Sequence, residues 1–242
     1  MAKIELSQPI LIAGAVYSLL VLGLLVSNAL DLPTAIELVL KVSSSIFFVI
    51  LAYICFKELE QDKIFFGSML IGMAIMILGD LVIQLDFKYS LEMAMIAFGV
   101  GHLCYIRAFV RYQGFSTFQF VVFFGLVITT LCTMILFDLD MGKFLPFAVI
   151  YTVIISFMVG SACSFLRDLE SSKWFISCIV VGAILFFLSD VTLSINEFSN
   201  SSNWIGMLTN LLYYFGQGLI AISFLGLYSG RVSEKIVSEE EE

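Results

Sequence analysis

The chain has 242 residues, 60% of them hydrophobic and only 13% charged, with a formal charge of −8 at neutral pH. Soluble domains average about 45–50% apolar and about 25% charged residues, so this composition excludes an ordinary soluble globular fold. The acidic balance also argues against a nucleic-acid partner, and the apolar runs leave no room for a separate soluble domain.

Taking about 20 apolar residues per membrane crossing, the sequence predicts eight spans. They are Ile10–Leu30, Ala35–Phe56, Ile64–Ile83, Leu91–Val110, Thr117–Phe137, Phe144–Phe165, Trp174–Ile195 and Trp204–Tyr228. The runs are continuously apolar and do not alternate, which excludes a closed β-barrel and leaves an all-α integral membrane protein. The transmembrane domain is expected over residues 1–230. Residues 231–242 form an acidic tail ending in the solvated charge run Glu239–Glu242. The first run is too long for the apolar part of a signal peptide and lacks a convincing cleavage site, so it is expected to stay as a span.

Short connectors carry the turn formers and charges, and their basic residues give an orientation. Lys3, Lys57, Lys63, Arg107, Arg111, Arg167, Lys173, Arg231 and Lys235 lie on one side, against Lys88 and Lys143 on the other. Both termini are therefore expected in the cytoplasm. A bacterial cytoplasmic membrane and a eukaryotic endoplasmic reticulum satisfy this bias equally. Arg107 and Arg111 are expected to snorkel to the cytoplasmic headgroups. The sequon Asn200-Ser201-Ser202 sits too close to the opposite surface for glycosylation. The five cysteines all lie in apolar runs without CxxC spacing and read as small buried hydrophobes.

Two stretches break the apolar pattern in the same way. Gly72–Phe87 carries Asp80 and Gly182–Phe198 carries Asp190, each eight residues after its glycine. Asp86 follows the first carboxylate as Asn196-Glu197 follows the second. A shift of 110 residues superposes both pairs and sets Lys41 on Tyr151. Half the chain is four spans, so two such halves would share one orientation, as 4+4 parallel repeats do. A carboxylate inside hydrocarbon costs a few kcal/mol (roughly 2.5–3.5), which makes each a functional hypothesis.

At about 1.5 Å per residue, Lys41, Tyr151 and Asp190 lie about 8–10 Å below the non-cytoplasmic surface and Asp80 about 5 Å. Asn210, Tyr213 and Tyr214 fall at about 9–15 Å, and His102 and Gln217 at about 16–20 Å. Six spans thus bring polar groups to the outer half of the bilayer or its midplane. A shared cavity accounts for this more simply than six separate structural pairs, because buried charges must pair or meet water. The structural alternatives are an ion pair between Lys41 and the aspartates, a packing role for His102, and interhelical hydrogen bonds from Tyr105, Tyr151, Tyr213 and Tyr214.

This set contains acid, base and cation but no Gly-x-Ser-x-Gly nucleophile. One histidine with two aspartates is a weak case for zinc, so no metal or cofactor is expected. Two carboxylates in a semi-dry pocket suit a reaction passing through an oxocarbenium ion. One donates a proton, while the other stays ionised, stabilises the cation and activates water.

The segments Leu78–Asp86, Ala97–Phe109, the Tyr151 region, Gly182–Phe198 and Leu211–Ser223 resemble the YhhN-like family, the lysoplasmalogenases of the transmembrane protein 86 group. They occur in family order over most of the chain. One departure is that Val42 follows Lys41 where the family often has proline. The resemblance implies hydrolysis of the vinyl ether bond of a lysoplasmalogen, a lysophospholipid drawn from the surrounding membrane, to a fatty aldehyde and a glycerophospho-base. Asp80 and Asp190 are then the expected acid and base, in either order. Lys41, His102, Tyr105, Tyr151, Asn210, Tyr213, Tyr214 and Gln217 are expected to contact substrate or water. Two other readings fit the same residues: a proton-coupled transporter of a small molecule or lipid, and an esterase acting on other lysolipids. Pro9, Pro33 and Pro146 all lie outside mid-span, so the paired helix breaks typical of transporters are missing.

Overall fold

A computed structural model describes residues 7–57, 63–85, 87–168, 171–199 and 204–240, with side chains to residue 225. Asp86 and the sequon at 200–202 lie outside the described residues. The chain forms α1 (Gln8–Ala29), α2 (Thr34–Lys57), α3 (Lys63–Gln84), α4 (Ser90–Gln113), α5 (Thr117–Leu136), α6 (Leu145–Cys163), α7 (Lys173–Phe198) and α8 (Trp204–Glu240), with short 3₁₀ turns flanking α6. All eight are long and apolar enough to span a membrane, in α8 over Trp204–Leu225.

Local sequence chemistry sets where these helices begin and turn. Pro9 and Pro146 occupy first turns, where a missing N–H costs nothing. Ser116 and Ser172 cap α5 and α7 by accepting from the amides of Gln119 and Phe175 at 3.1 and 3.2 Å. Asp31 and Asp138 take left-handed conformations (φ 48° and 47°) in the tight α1–α2 and α5–α6 connectors, a region Asp tolerates better than most residues.

Three helix ends run three or more residues past the sequence expectation: α4 reaches Gln113, beyond Val110, and α7 and α8 are the other two. Helix α7 continues past Ile195 to Phe198, because nothing between them breaks a helix; its polar end, Asn196-Glu197, is helical and borders a polar cavity. Helix α8 runs unbroken for 37 residues, roughly 55 Å at 1.5 Å per residue.

Consecutive helices run up and down, and two pairs pack most extensively: α3 on α4 and α7 on α8. Each pair meets at glycines. A Cβ on Gly72 would lie 2.8 Å from the Gly101 carbonyl oxygen, and one on Gly182 would lie 2.8 Å from the Gly216 carbonyl oxygen. Close backbone approach of this kind is how helices gain van der Waals contact in lipid, where no hydrophobic force draws them together. The pairs are joined by α2 against α8 and by α4 against α6. Helix α5 is outermost and buries only Gln119, whose Nε2 donates to Ser161 Oγ at 2.7 Å.

The end of the bundle bearing Lys63, Arg111 and Arg167 is filled by rings packed edge to face. Phe66 meets Phe224 at 4.6 Å, Phe65 meets Phe66 at 5.2 Å and Phe165 meets Phe175 at 5.3 Å between centroids. Aromatic packing of this density resists rearrangement. The cavities described below lie towards the opposite end.

Candidate active site

Two polar clusters form within the bundle, one around each aspartate. Asp80, on the last turn but one of α3, is buried, and its Oδ2 accepts from Ser45 Oγ at 2.5 Å and Tyr213 Oη at 2.7 Å. Ser45 also lies 3.3 Å from the Tyr214 hydroxyl, which donates to the Lys41 carbonyl at 3.2 Å. Tyr17 of α1 closes this cluster by donating to the Tyr214 carbonyl.

Asp190, on α7, is half-buried, and its Oδ2 accepts from Tyr151 Oη at 2.7 Å. His102 Nε2 lies 3.1 Å from the same hydroxyl. Since Tyr151 has one proton and gives it to the carboxylate, Nε2 is the donor to the Tyr151 oxygen. Nδ1 lies in a fully buried ring and has no hydrogen-bond partner.

Rings separate the two carboxylates. Tyr213 lies 5.0 Å from Phe186 and 6.1 Å from Phe98 between centroids, and Phe186 lies 4.6 Å from His102. The chain of contacts from one acid to the other thus runs Asp80, Tyr213, Phe186, His102, Tyr151, Asp190.

Cavities give the clusters different access. Asp190 and Tyr151 line a mainly apolar cavity of about 50 Å³, walled by Ile83, Met95, Phe98 and Leu193. Both also face a smaller chamber of about 30 Å³ towards α5. Tyr151 and Met95 continue into an apolar groove between α4 and α6, with buried Gly99 at its floor and Ile96, Val100 and Ile150 exposed on the outer surface. On the other side, Ile83, Leu193 and Glu197 are shared with a polar cavity of about 430 Å³ holding Lys41, Glu37, Asp31, Asn28 and Asn210. Asp80 lines none of these cavities; Phe98 stands between its cluster and the Asp190 chamber.

The sequence-expected residues therefore divide. Asp190, Tyr151 and His102 form one unit, and Asp80, Tyr213 and Tyr214 form another. Lys41 does not pair with either aspartate: its ammonium lies 3.3 Å from Glu37. Asn210 donates to Asn28 Oδ1 at 2.8 Å beside that pair. Tyr105 donates to Gln217 Oε1 at 3.0 Å, and Gln217 turns its amide to Met76 Sδ, so these two join α4 to α8 below the site. Ser45 and Glu37 escaped the sequence reading although a signal was present: Glu37, Lys41 and Ser45 recur every four residues and share one face of α2. Among the described residues no three His, Cys, Asp or Glu side chains cluster to hold a metal ion.

A bovine (Bos taurus) protein named lysoplasmalogenase TMEM86A is 30% identical to this chain over 156 residues, 63% of the chain. The chain spans 63% of that relative's length. No solved structure matches. The sequence model of the YhhN family matches residues 36–224, a stretch that includes both aspartates, His102, Tyr151 and the tyrosine pair of α8. The chain belongs to the YhhN family.

Proposed function

We propose that this protein is an integral membrane lysoplasmalogenase, hydrolysing the vinyl ether of an alkenyl lysophospholipid with Asp190 as the proton-transferring residue. The observation that carries the reading is the position of Asp190 and Tyr151 between a polar cavity and an apolar groove. An amphiphile with a charged head and one hydrocarbon chain matches that sequence of surroundings, and the vinyl ether, at the junction of head and chain, falls beside the carboxylate. The bovine relative's name supports the same substrate class.

The chemistry follows from the hydrogen bonds. Protonated Asp190 gives its proton to the vinyl β-carbon, and the ether oxygen's lone pair forms the oxocarbenium ion. The resulting carboxylate takes a proton from water as the water oxygen bonds to the α-carbon. The hemiacetal then collapses: Asp190 gives its proton to the glycerol oxygen as the C–O bond to glycerol breaks, and the hemiacetal hydroxyl returns a proton to Asp190 as its oxygen forms the C=O of the aldehyde. Tyr151 holds Asp190 towards the cavity, and His102 fixes Tyr151. Asp80, with two hydroxyl donors on one oxygen, holds Tyr213 in place beside the ring of Phe186.

The proposed architecture is two four-helix halves in parallel, α1–α4 and α5–α8, with both termini and the tail from residue 231 cytoplasmic. Support comes from the matching glycine contacts of Gly72–Gly101 and Gly182–Gly216, and from α2 on α8 beside α6 on α4.

The test is purified protein in detergent with alkenyl and acyl lysophosphatidylethanolamine, read by mass spectrometry. Aldehyde from the alkenyl lipid, lost in Asp190→Asn of unchanged melting temperature, is the expected outcome. Cleavage of the acyl lipid alone would make the protein an esterase. No cleavage of either, with uptake driven by a pH gradient in liposomes, would make it a transporter.

A further inference from the structure

The small chamber towards α5 differs from the other spaces in what its walls leave free. It lies between α5, α6 and α7, with Leu139 and Met141 of the α5–α6 connector in its wall, and has a volume of about 30 Å³. A water molecule needs about 10–15 Å³ of such space, so there is room for about two. Besides Tyr151, four residues with hydroxyls line the chamber. Three of these turn to the backbone one helical turn back: Thr130 donates to the Leu126 carbonyl at 3.1 Å, Thr133 to Thr129 at 3.0 Å and Ser194 to Asp190 at 2.9 Å. The fourth, Thr152, is only 9% exposed, and among the described residues its hydroxyl has no hydrogen-bond partner. Buried hydroxyls are nearly always paired, so this one points to a ligand. Asp190 supplies a second free group: Oδ2 accepts from Tyr151, whereas Oδ1 has no partner among the described residues. Asp190 and Thr152 both line the apolar cavity walled by Phe98 as well. The carboxylate therefore borders two spaces, one apolar and one with hydroxyls in its walls.

We propose that this chamber holds the attacking water, and that Thr152 is the residue that positions it against Asp190. The proposal rests on the vinyl ether hydrolase reading and adds the place from which the nucleophile comes. The alkenyl carbons lie in the apolar cavity and the water in the hydroxyl-lined chamber, with Asp190 between them. The water donates one O–H to Asp190 Oδ1 and the other to Thr152 Oγ1, which leaves a lone pair for the α-carbon. As the new O–C bond forms, the first proton passes to the carboxylate. The π electrons of the oxocarbenium C=O return to the ether oxygen, giving the hemiacetal and a protonated Asp190. A water held in this geometry before the cation forms needs no reorganisation when it attacks. Without the Thr152 hydroxyl, water addition slows while protonation does not. The cation then has time to give a proton back to the carboxylate and revert to vinyl ether.

The experiment follows alkenyl lysophosphatidylethanolamine in deuterated water, with the aldehyde and the unconverted lipid both weighed by mass spectrometry. Thr152→Val keeps the shape of the side chain and removes the hydroxyl. We expect kcat to fall about three- to tenfold, with KM nearly unchanged. The deciding readout is the ratio of deuterium in the recovered lipid to aldehyde formed. When a deuterated β-carbon returns its proton to Asp190, the deuterium stays behind in the vinyl ether. That ratio is expected to be small in the wild type, to rise several-fold in Thr152→Val and to fall back in Thr152→Ser. A merely structural role would lower the melting temperature or kcat without moving it. Thr130→Leu, which fills the chamber from α5, is expected to raise the ratio too, and it decides the matter should Thr152→Val fold poorly. The wild-type ratio in either folded variant would overturn the proposal and leave the hydrolase standing. No aldehyde from the wild type would overturn the hydrolase reading and this proposal with it.

Discussion

The hydroxyl of Tyr151 is the residue-scale centre of the site, because it is shared between Asp190 and His102. Tyr151→Phe removes a hydrogen bond to a charged group, worth about 1.5–3 kcal/mol, and leaves the His102 N–H unpaired. We expect kcat to fall roughly 10–100-fold, with KM nearly unchanged, measured as aldehyde release. Asp190→Asn, which cannot transfer the proton at all, is expected to lose roughly 10²–10⁴-fold. Ser45→Ala acts differently, since Asp80 lines no cavity: one of its two donors disappears. Its expected signature is a lower melting temperature in detergent with a smaller loss of turnover than Asp190→Asn. These roles were only partly legible in the sequence. Depth in the bilayer could be counted along each span, and it grouped Lys41, Asp80, Asp190 and Tyr151. The direction in which each side chain points could not be counted across helices. That is why Lys41 turns to Glu37, four residues back on its own helix, and why Tyr105 and Gln217 pair below the site.

At the scale of elements, the eight helices could be read from apolar runs, and all their ends but one to within a few residues, because hydrocarbon demands long runs and internal hydrogen bonding; the exception is α8, which continues from Tyr228 to Glu240 on polar residues that give no apolar run. The contacts between helices were less legible, although Gly72 and Gly182 stood out. Each of them brings two backbones together, so the Cβ of a larger residue would strike a carbonyl oxygen. Gly182→Val is expected to destabilise the protein by about 1–3 kcal/mol through overpacking, read as a lowered melting temperature. Gly125→Ala on α5, where a Cβ meets nothing within 4 Å, is the control. It is expected to be neutral or to stabilise by up to about 1 kcal/mol through helix propensity. Equal effects of the two would show that the α7–α8 contact is not what holds the pair. The end of α7 also matters here. Its helix reaches Phe198, so Glu197 stands on a rigid element between the polar cavity and the Asp190 chamber.

The whole molecule combines one end packed with phenylalanines and an opposite end that holds four adjoining spaces. The groove between α4 and α6 is the side through which a hydrocarbon chain would come from the bilayer, and Gly99 lies on its floor against Tyr151 and Ile154. Gly99→Phe would fill that groove. We expect it to raise KM several-fold for long-chain alkenyl lipids and to leave a short-chain analogue almost unaffected; equal effects on both would argue against lateral access. The expectations for turnover depend on one claim, that Asp190 protonates a vinyl carbon and water then adds beside the oxygen. The direct measurement is turnover of alkenyl lysophosphatidylethanolamine in deuterated, ¹⁸O-enriched water, with both products weighed by mass spectrometry. One deuterium on the carbon next to the aldehyde, and a glycerol oxygen carrying no ¹⁸O, is the result expected. An ¹⁸O label in the glycerophosphoethanolamine, or aldehyde without deuterium, would contradict it.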